Sequence, residues 1–309
     1  MSLGFKYKGT DLGNIFASGT TMTMTNYKTS ANDIKFLEIY ANIAPSSFTN
    51  YNYLSSNVLV SACPKFFSYT SGTAQIHTCH SNATGVYLIL IGGGGGGGSG
   101  GSTSGSNAYE GDGGGGGGGG GMLAIRINKS NNSTISIPIT ITYYIGGGGE
   151  GGAKLTSNTD GNSGKDGGST NAYIATTSGN SITCSAIGGK KGTGGTGGSS
   201  NQDGIDTAGG DGGGRWTQLE ATNYSNDKSK DGSKGGNGED GTNDTNDVSA
   251  GGAGGKSGNE YGGQIFSFIS TYGNGGKGGQ GDQDTSGLRN GAAGSNGQGG
   301  IMYIFEYFD

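Results

Sequence analysis

The chain has few of the residues that usually identify a class of function. Its three Cys are too few for a disulfide framework, and an odd number favours synthesis in a reducing compartment. Only 13% of residues are charged, with a net charge of -5, so no clustered basic face for nucleic acid is expected. No signal-peptide pattern and no run of about 18 apolar residues occur. We therefore expect a protein made in the cytoplasm that binds no nucleic acid and inserts into no membrane.

Catalytic and metal-ligating patterns are also scarce. The two His, His77 and His80, flank Cys79 at a spacing that matches no structural zinc site. No nucleophile–base arrangement can be assembled from so few groups. Residues 250–257 approach a phosphate-binding loop, but Ala250 stands where its first glycine belongs and no apolar strand precedes it. These observations predict a protein that is not an enzyme and has no cofactor or metal.

Proline and apolar residues are sparse as well. With three Pro and no strict Gly-X-Y repeat, the chain cannot be collagen. With 29% hydrophobic residues, the whole chain cannot enclose one large conventional core. A different principle must therefore order much of the chain.

Glycine is what the chain has in abundance. It contains 74 glycines, and all but six of them follow residue 91. Long runs at 92–98 and 113–121 border apolar, strand-like segments. The segments that predict strands on this ground are 86–91, 122–127, 134–145 and 301–308.

Three structures are compatible with such glycine spans. One is a flexible linker, since Gly-rich chains are normally random coils. A second is an ordinary β-sandwich with glycine-rich loops. The third is a bundle of extended three-fold helices, with three residues per turn and backbone groups that bond to neighbouring helices. We favour the third, and predict a mainly β protein: a β-rich N-terminal region at 1–85, with strands at 20–25, 58–62 and 66–69, then a glycine-rich domain at 86–309. This domain would consist of packed polyglycine-type helices framed by short strands.

The order of strands and glycine runs resembles the glycine-rich modules of phage tail-fibre tip adhesins and other viral surface proteins. Similar modules occur in some bacterial surface proteins and in a class of animal receptor kinases. The matching segments are 86–98, 113–127, 134–149, 187–189 and 299–308. Residues 9–16 also look like a short motif seen near the starts of viral tail and virion-surface proteins.

The resemblance implies a function at a virion surface. In the phage adhesins, polyglycine helices form the body and variable loops bind the host. The expectation is a non-enzymatic fibre or tail-tip protein that binds a host glycan or outer-membrane protein. Residues 1–85 would contact other virion proteins, and the protein would form a homo-oligomer, with a trimer as the working assumption. The alternative is a purely structural capsid or fibre subunit that self-associates.

Aromatic and Arg side chains in the segments that interrupt the glycine spans are the candidate receptor contacts, since these types are enriched at binding hot spots. Trp216 and Phe266 could instead pack a local core, because apolar side chains are scarce here. The candidates are Arg215, Trp216, Tyr224, Tyr173, Tyr109 and Phe266.

Overall fold

The computed structural model describes a large part of the chain, and every structural statement below concerns that part. Two predicted strands, 20–25 and 58–62, lie outside it. The described residues are 2–7, 10–16, 38–40, 65–69, 74–79, 81, 83, 85–102, 111–128, 133–154, 160–197, 207–217, 229–239, 249–261, 272–281 and 291–307.

The first three strands form a sheet of their own. β1 (Ser2–Tyr7), β2 (Thr10–Phe16) and β3 (Glu38–Tyr40) are ordered β2-β1-β3, with both pairs antiparallel. The motif at residues 9–16 therefore lies almost entirely on β2. This sheet agrees with the predicted β-rich character of the N-terminal region.

Two larger antiparallel sheets follow. One has the order β11-β10-β9-β8-β5 and the other β4-β12-β6-β7. Their strands are β4 (Lys65–Tyr69), β5 (Gln75–Thr78), β6 (Gly85–Ile91), β7 (Met122–Asn128), β8 (Thr140–Tyr144), β9 (Thr170–Ala175), β10 (Ser181–Ala186), β11 (Arg215–Thr217) and β12 (Ile301–Tyr307).

The two sheets pack face to face around a single apolar core. Alternate residues of each strand point to the same face of a sheet, so Leu88 and Ile125 of one sheet meet Ile141 and Ile174 of the other. In the four-stranded sheet the opposite face is buried too, as Ile89 and its neighbours show. Burial on both faces explains why β6 is a continuous apolar run.

Ten glycine-rich spans extend from this sandwich and carry no regular strand assignment. Consecutive spans run in opposite directions. They are 92–102, 111–121, 146–154, 160–169, 187–197, 207–214, 231–239, 249–257, 273–281 and 291–300. At the strand end, spans join β-strands such as β6 and β7. At the other end, here called the free end, residues 102, 111, 154, 160, 197, 207, 239, 249, 281 and 291 border five connections outside the described residues.

Span 92–102 lies at the centre of six others, and its hydrogen bonds repeat every third residue. Its carbonyls accept from spans 146–154, 187–197 and 273–281. Its N–H groups donate in turn to three different spans: residues 92, 95, 98 and 101 to span 111–121, residues 93, 96 and 99 to span 160–169, and residues 94, 97 and 100 to span 291–300.

Span 111–121 is a second centre with the same three-residue period. It donates to 187–197, 231–239 and 273–281, and it accepts from 92–102, 207–214 and 249–257. The two central spans therefore bond to each other and share two of their neighbours. The remaining eight spans form one layer around this pair.

The position of a span decides its composition. A Cβ on Gly95 would overlap the carbonyl oxygen of Lys190, and one on Gly117 would overlap the carbonyl of Gly95. A central span has such neighbours on every side, so glycine fills most of it. The side chains that the central spans do carry, such as those of Ser99 and Asp112, lie towards the free end. An outer span places glycine towards the centre at every third residue, as Gly161, Gly164 and Gly167 do. Its other positions can hold polar residues such as the exposed Glu150.

The mainly β prediction is confirmed. The predicted strands at 66–69, 86–91, 122–127 and 301–308 correspond to β4, β6, β7 and β12, whereas the predicted 134–145 strand is regular only as β8. The division at residue 85 stays a prediction. β4 and β5, from before it, pair with β12 and β8 from after it.

Candidate functional site

The solvent-facing side of the five-stranded sheet is the most developed candidate surface in the described residues. We call it the outer face. Residues paired across antiparallel strands lie side by side on one face, and the register aligns Ile76, Thr142, Tyr173 and Thr183 in one row. Tyr144, Asn171 and Ser185 form the next row. Further along the strands, Thr78 pairs with Thr140 and Ala175 pairs with Ser181.

Two tyrosines form the centre of the outer face. The rings of Tyr144 and Tyr173 meet edge to face, with centroids 5.9 Å apart and an interplanar angle of 89°. Beside them the Ser185 hydroxyl donates to Asn171 Oδ1 at 2.6 Å. An open groove of about 630 Å³ runs over this region, lined by residues that include Thr142, Asn171, Asn180 and Ser181.

Four strands carry the outer face: β5, β8, β9 and β10. None of them contains Asp, Glu, Lys or Arg. Its polar groups are hydroxyls and amides. Ile76 is 68% exposed and Tyr144 is 40% exposed. The face is therefore solvent-exposed, uncharged and partly aromatic. It can form hydrogen bonds and aromatic ring contacts with a ligand.

The described receptor candidates lie in two places. Tyr173 is on the outer face. Arg215 and Trp216 are on β11 at the edge of the same sheet, where Trp216 is in register with Ser185. The Arg215 guanidinium donates to Asp231 at 2.7 Å. Tyr224, Tyr109 and Phe266 lie outside the described residues.

Several charged side chains lie on the surface of the outer glycine spans. Lys165 pairs with Glu150 at 2.5 Å, and Lys190 pairs with Asp166 at 2.8 Å. The Lys190 hydrogen bond is the main reason that the pKa of Asp166 lies below its ordinary value. These pairs are well exposed, and exposed ion pairs contribute little to stability. They place charge of both signs on the outer surface of the bundle.

Sequence reasoning missed most of the outer face. The aromatic residues between the glycine runs include Tyr173. They do not include Tyr144, which lies in the predicted strand 134–145, or Asn171, which is not aromatic. The available signal was the alternation of Thr140, Ile141, Thr142, Tyr143 and Tyr144, which is typical of a half-buried strand with one wet face. The partner strands could not be deduced from it.

The described residues contain no group of three or more His, Cys, Asp or Glu that could hold a metal. Within the sequence cluster around His77, that residue and Cys79 are both buried on the inner side of the sheet. His80 lies outside the described residues. No helix in the described part is long and apolar enough to cross a membrane; the only helix there, α1 (Gly258–Tyr261), is a single turn.

The comparisons with known proteins agree with the architecture. No curated protein matches the chain. A family model described as "Glycine-rich domain" matches residues 69–305, which includes both large sheets, apart from the first residues of β4 and the last of β12, and all ten glycine spans. The chain therefore belongs to the glycine-rich domain family.

Proposed function

We propose that the glycine spans are packed three-fold helices and that they form the rigid body of a non-enzymatic attachment protein on a virion surface. A three-fold helix has three residues per turn and no internal hydrogen bonds, so its N–H groups point in three directions. The donors of span 92–102 go to three different spans in strict rotation. This pattern supports three-fold helices over irregular loops between strands.

The attachment proposal rests on the free end, where ten described residues border five chain connections. The connections are residues 103–110, 155–159, 198–206, 240–248 and 282–290, and Tyr109 is their one aromatic residue. Loops held on a rigid scaffold commonly carry binding residues. The frame beneath them is held by backbone bonds, so the connections can change without loss of the frame. A host glycan or outer-membrane protein is the proposed receptor.

The opposite end would then join the virion. Residues 1–85 supply a separate three-stranded sheet, and the chain enters the bundle from the sandwich. In this arrangement the free end projects away from the particle. The proposed location is the virion surface, with synthesis in the host cytoplasm.

Binding to a panel of bacterial, algal and animal cells tests the attachment proposal. Each free-end connection is replaced in turn by a Gly/Ser segment of equal length, and Tyr109→Ala is added. Lys191→Ala, an exposed change on the side of the bundle, is the matched control. We expect the wild type and the control to bind one cell type, and at least one replacement to abolish binding at unchanged Tm. Binding by no cell type, or equal binding by every variant, would contradict the proposal.

A structural subunit that self-associates is the second candidate. It is favoured by Gly147, an exposed glycine of an outer span where a Cβ would meet no atom within 4 Å. No described residue requires glycine there, and a span from another copy could occupy the space. If this is the function, the wild type forms oligomers by light scattering and Gly147→Glu dissociates them. A monomer at all concentrations would exclude it.

A further inference from the structure

We propose that the outer face of the five-stranded sheet binds an uncharged polysaccharide. The inference rests on the residues of β5, β8, β9 and β10 and does not require the free-end connections to bind anything. Three properties of the face support it: its lack of charge, its chemistry and its shape.

The lack of charge selects the class of ligand. Charged residues make up 13% of this chain. Four adjacent strands here carry none, although this chain places such residues freely on its glycine spans. A phosphorylated, sulfated or acidic ligand would need cations that the face lacks. Depletion of charge together with exposed tyrosine is the composition of an interface centre.

The side chains on the face match the two surfaces of a sugar. A pyranose ring presents a patch of C–H groups that packs on an aromatic ring, and hydroxyls around its rim that exchange hydrogen bonds. Tyr144 and Tyr173 supply rings held perpendicular to each other. Thr142, Asn171 and Ser181 supply hydroxyl and amide groups along the groove. A tyrosine combines an apolar ring with a polar hydroxyl, so it can contact both the C–H patch and the hydroxyls of a sugar.

The shape favours a chain over a single sugar. The row from Ile76 through Thr142 and Tyr173 to Thr183 crosses four strands, roughly 14 Å at the usual strand spacing. The groove is open at the surface, so a polymer can lie across it without entering a closed cavity. A second protein copy is a poorer match, because most of the face is hydroxyl and amide while homodimer interfaces are more apolar.

Affinity electrophoresis of the full chain in gels containing dextran, mannan, xylan or the anionic polymer alginate tests this inference. We expect at least one neutral polymer to retard the wild type, with a dissociation constant that does not change with added salt, because no charge contributes. Tyr144→Ala and Tyr173→Ala should each weaken that binding by about tenfold, since each removes an aromatic contact. Tyr144→Phe keeps the ring and should retain most of the affinity.

Ile187→Ala is the matched control. It removes a similarly exposed apolar side chain, 39% exposed, that lies outside the outer face. Retention of binding by this variant, with an unchanged Tm in all four, would assign the loss to the tyrosines. The inference is overturned if no neutral polymer retards the protein, if alginate alone does, or if Tyr144→Ala binds as the wild type does. It is also overturned if Tyr144→Ala dissociates a dimer of the wild type.

The two binding proposals can fail separately. Replacement of the free-end connections should leave polysaccharide retardation unchanged, and Tyr144→Ala should leave binding through the free end unchanged. Loss of both activities in the same variant would show that one surface serves both.

Discussion

At the scale of single residues, adjacent glycines in one span have opposite constraints. Gly147 and Gly148 are both exposed, yet a Cβ on Gly147 meets nothing within 4 Å while one on Gly148 overlaps the carbonyl oxygen of Gly297. We predict that Gly147→Ala leaves the free energy of unfolding unchanged or raises it by up to about 1 kcal/mol, because alanine restricts the unfolded chain. Gly148→Ala should lower it by about 1–3 kcal/mol, the usual effect of overpacking.

Denaturant unfolding of the two variants measures this difference. Both variants replace an exposed glycine of the same span by alanine, at adjacent positions, so each serves as the control for the other. Equal effects of the two substitutions would mean that the spans can separate to admit a methyl group. The close approach of backbones would then not be what selects glycine at this position.

The sequence identifies the glycine runs but not the role of each glycine. Gly291, Gly294 and Gly297 face the central span 92–102 at every third residue, a regularity that the sequence alone does not predict. The three-residue spacing of inward-facing glycines holds within each span, but it does not continue in phase from one span to the next. The repeat therefore becomes meaningful only when the neighbouring spans are known.

At the scale of elements, strands with continuous apolar runs are predictable. The six apolar residues 86–91 predict β6, and the composition of 122–127 and 301–308 predicts its partner strands β7 and β12. The pairing was not predictable, because Ile91 pairs with Ile301 across the length of the domain. β5 contains one apolar side chain, the exposed Ile76, and its buried side chain is the polar His77. So short and polar a segment does not distinguish a strand from a loop.

Burial in the core between the sheets leads to a prediction about the reactivity of the Cys184 thiol. Cys184 on β10 is fully buried, and burial raises its pKa to about 11 despite a contact of 3.5 Å with the Thr217 hydroxyl. The folded protein therefore binds the thiol proton more tightly than the unfolded chain does. This contribution to stability is complete below the ordinary thiol pKa and is lost as the pH rises towards about 11.

Reaction with a disulfide reagent in a Cys63→Ser variant tests this. Cys79 and Cys184 are both buried, so we expect neither to react at pH 8 until denaturant opens the sandwich, since the thiolate is the reactive form. The matched control adds Thr183→Cys, which places a thiol on the outer face of the same strand and should give rapid reaction. Fast labelling of Cys184 in the native protein would show that the sheet opens locally.

At the scale of the whole molecule, a β-sandwich continues into a bundle of glycine spans, and different interactions stabilise the two parts. The sandwich is held by buried apolar side chains such as Leu88 and Ile174. The glycine spans have almost no apolar side chains, so their order depends on backbone hydrogen bonds made across long distances in sequence. The N–H of Gly100, for example, donates to Ala292. Ordering glycine costs backbone entropy, and only a complete set of partners for the spans can offset it.

Hydrogen exchange distinguishes a cooperative bundle from a loose one. The N–H groups of the central spans 92–102 and 111–121 donate to backbone carbonyls inside the bundle. Opening either span breaks bonds to six others, so these amides should exchange only when a large part of the domain opens. We predict that they exchange as slowly as those of β6, although free glycine-rich chains are random coils and offer no protection.

The outer span 146–154 is the internal control, because it is exposed at Gly147, Gly148 and Glu150. It should exchange faster than both central spans in the same sample. Gly148→Ala should raise the exchange rate of span 146–154 and of its partner span 291–300 before it affects β6. If the central spans instead exchange as fast as the outer one, each span opens alone, and the backbone network is too weak to be the rigid frame that attachment through the free end requires.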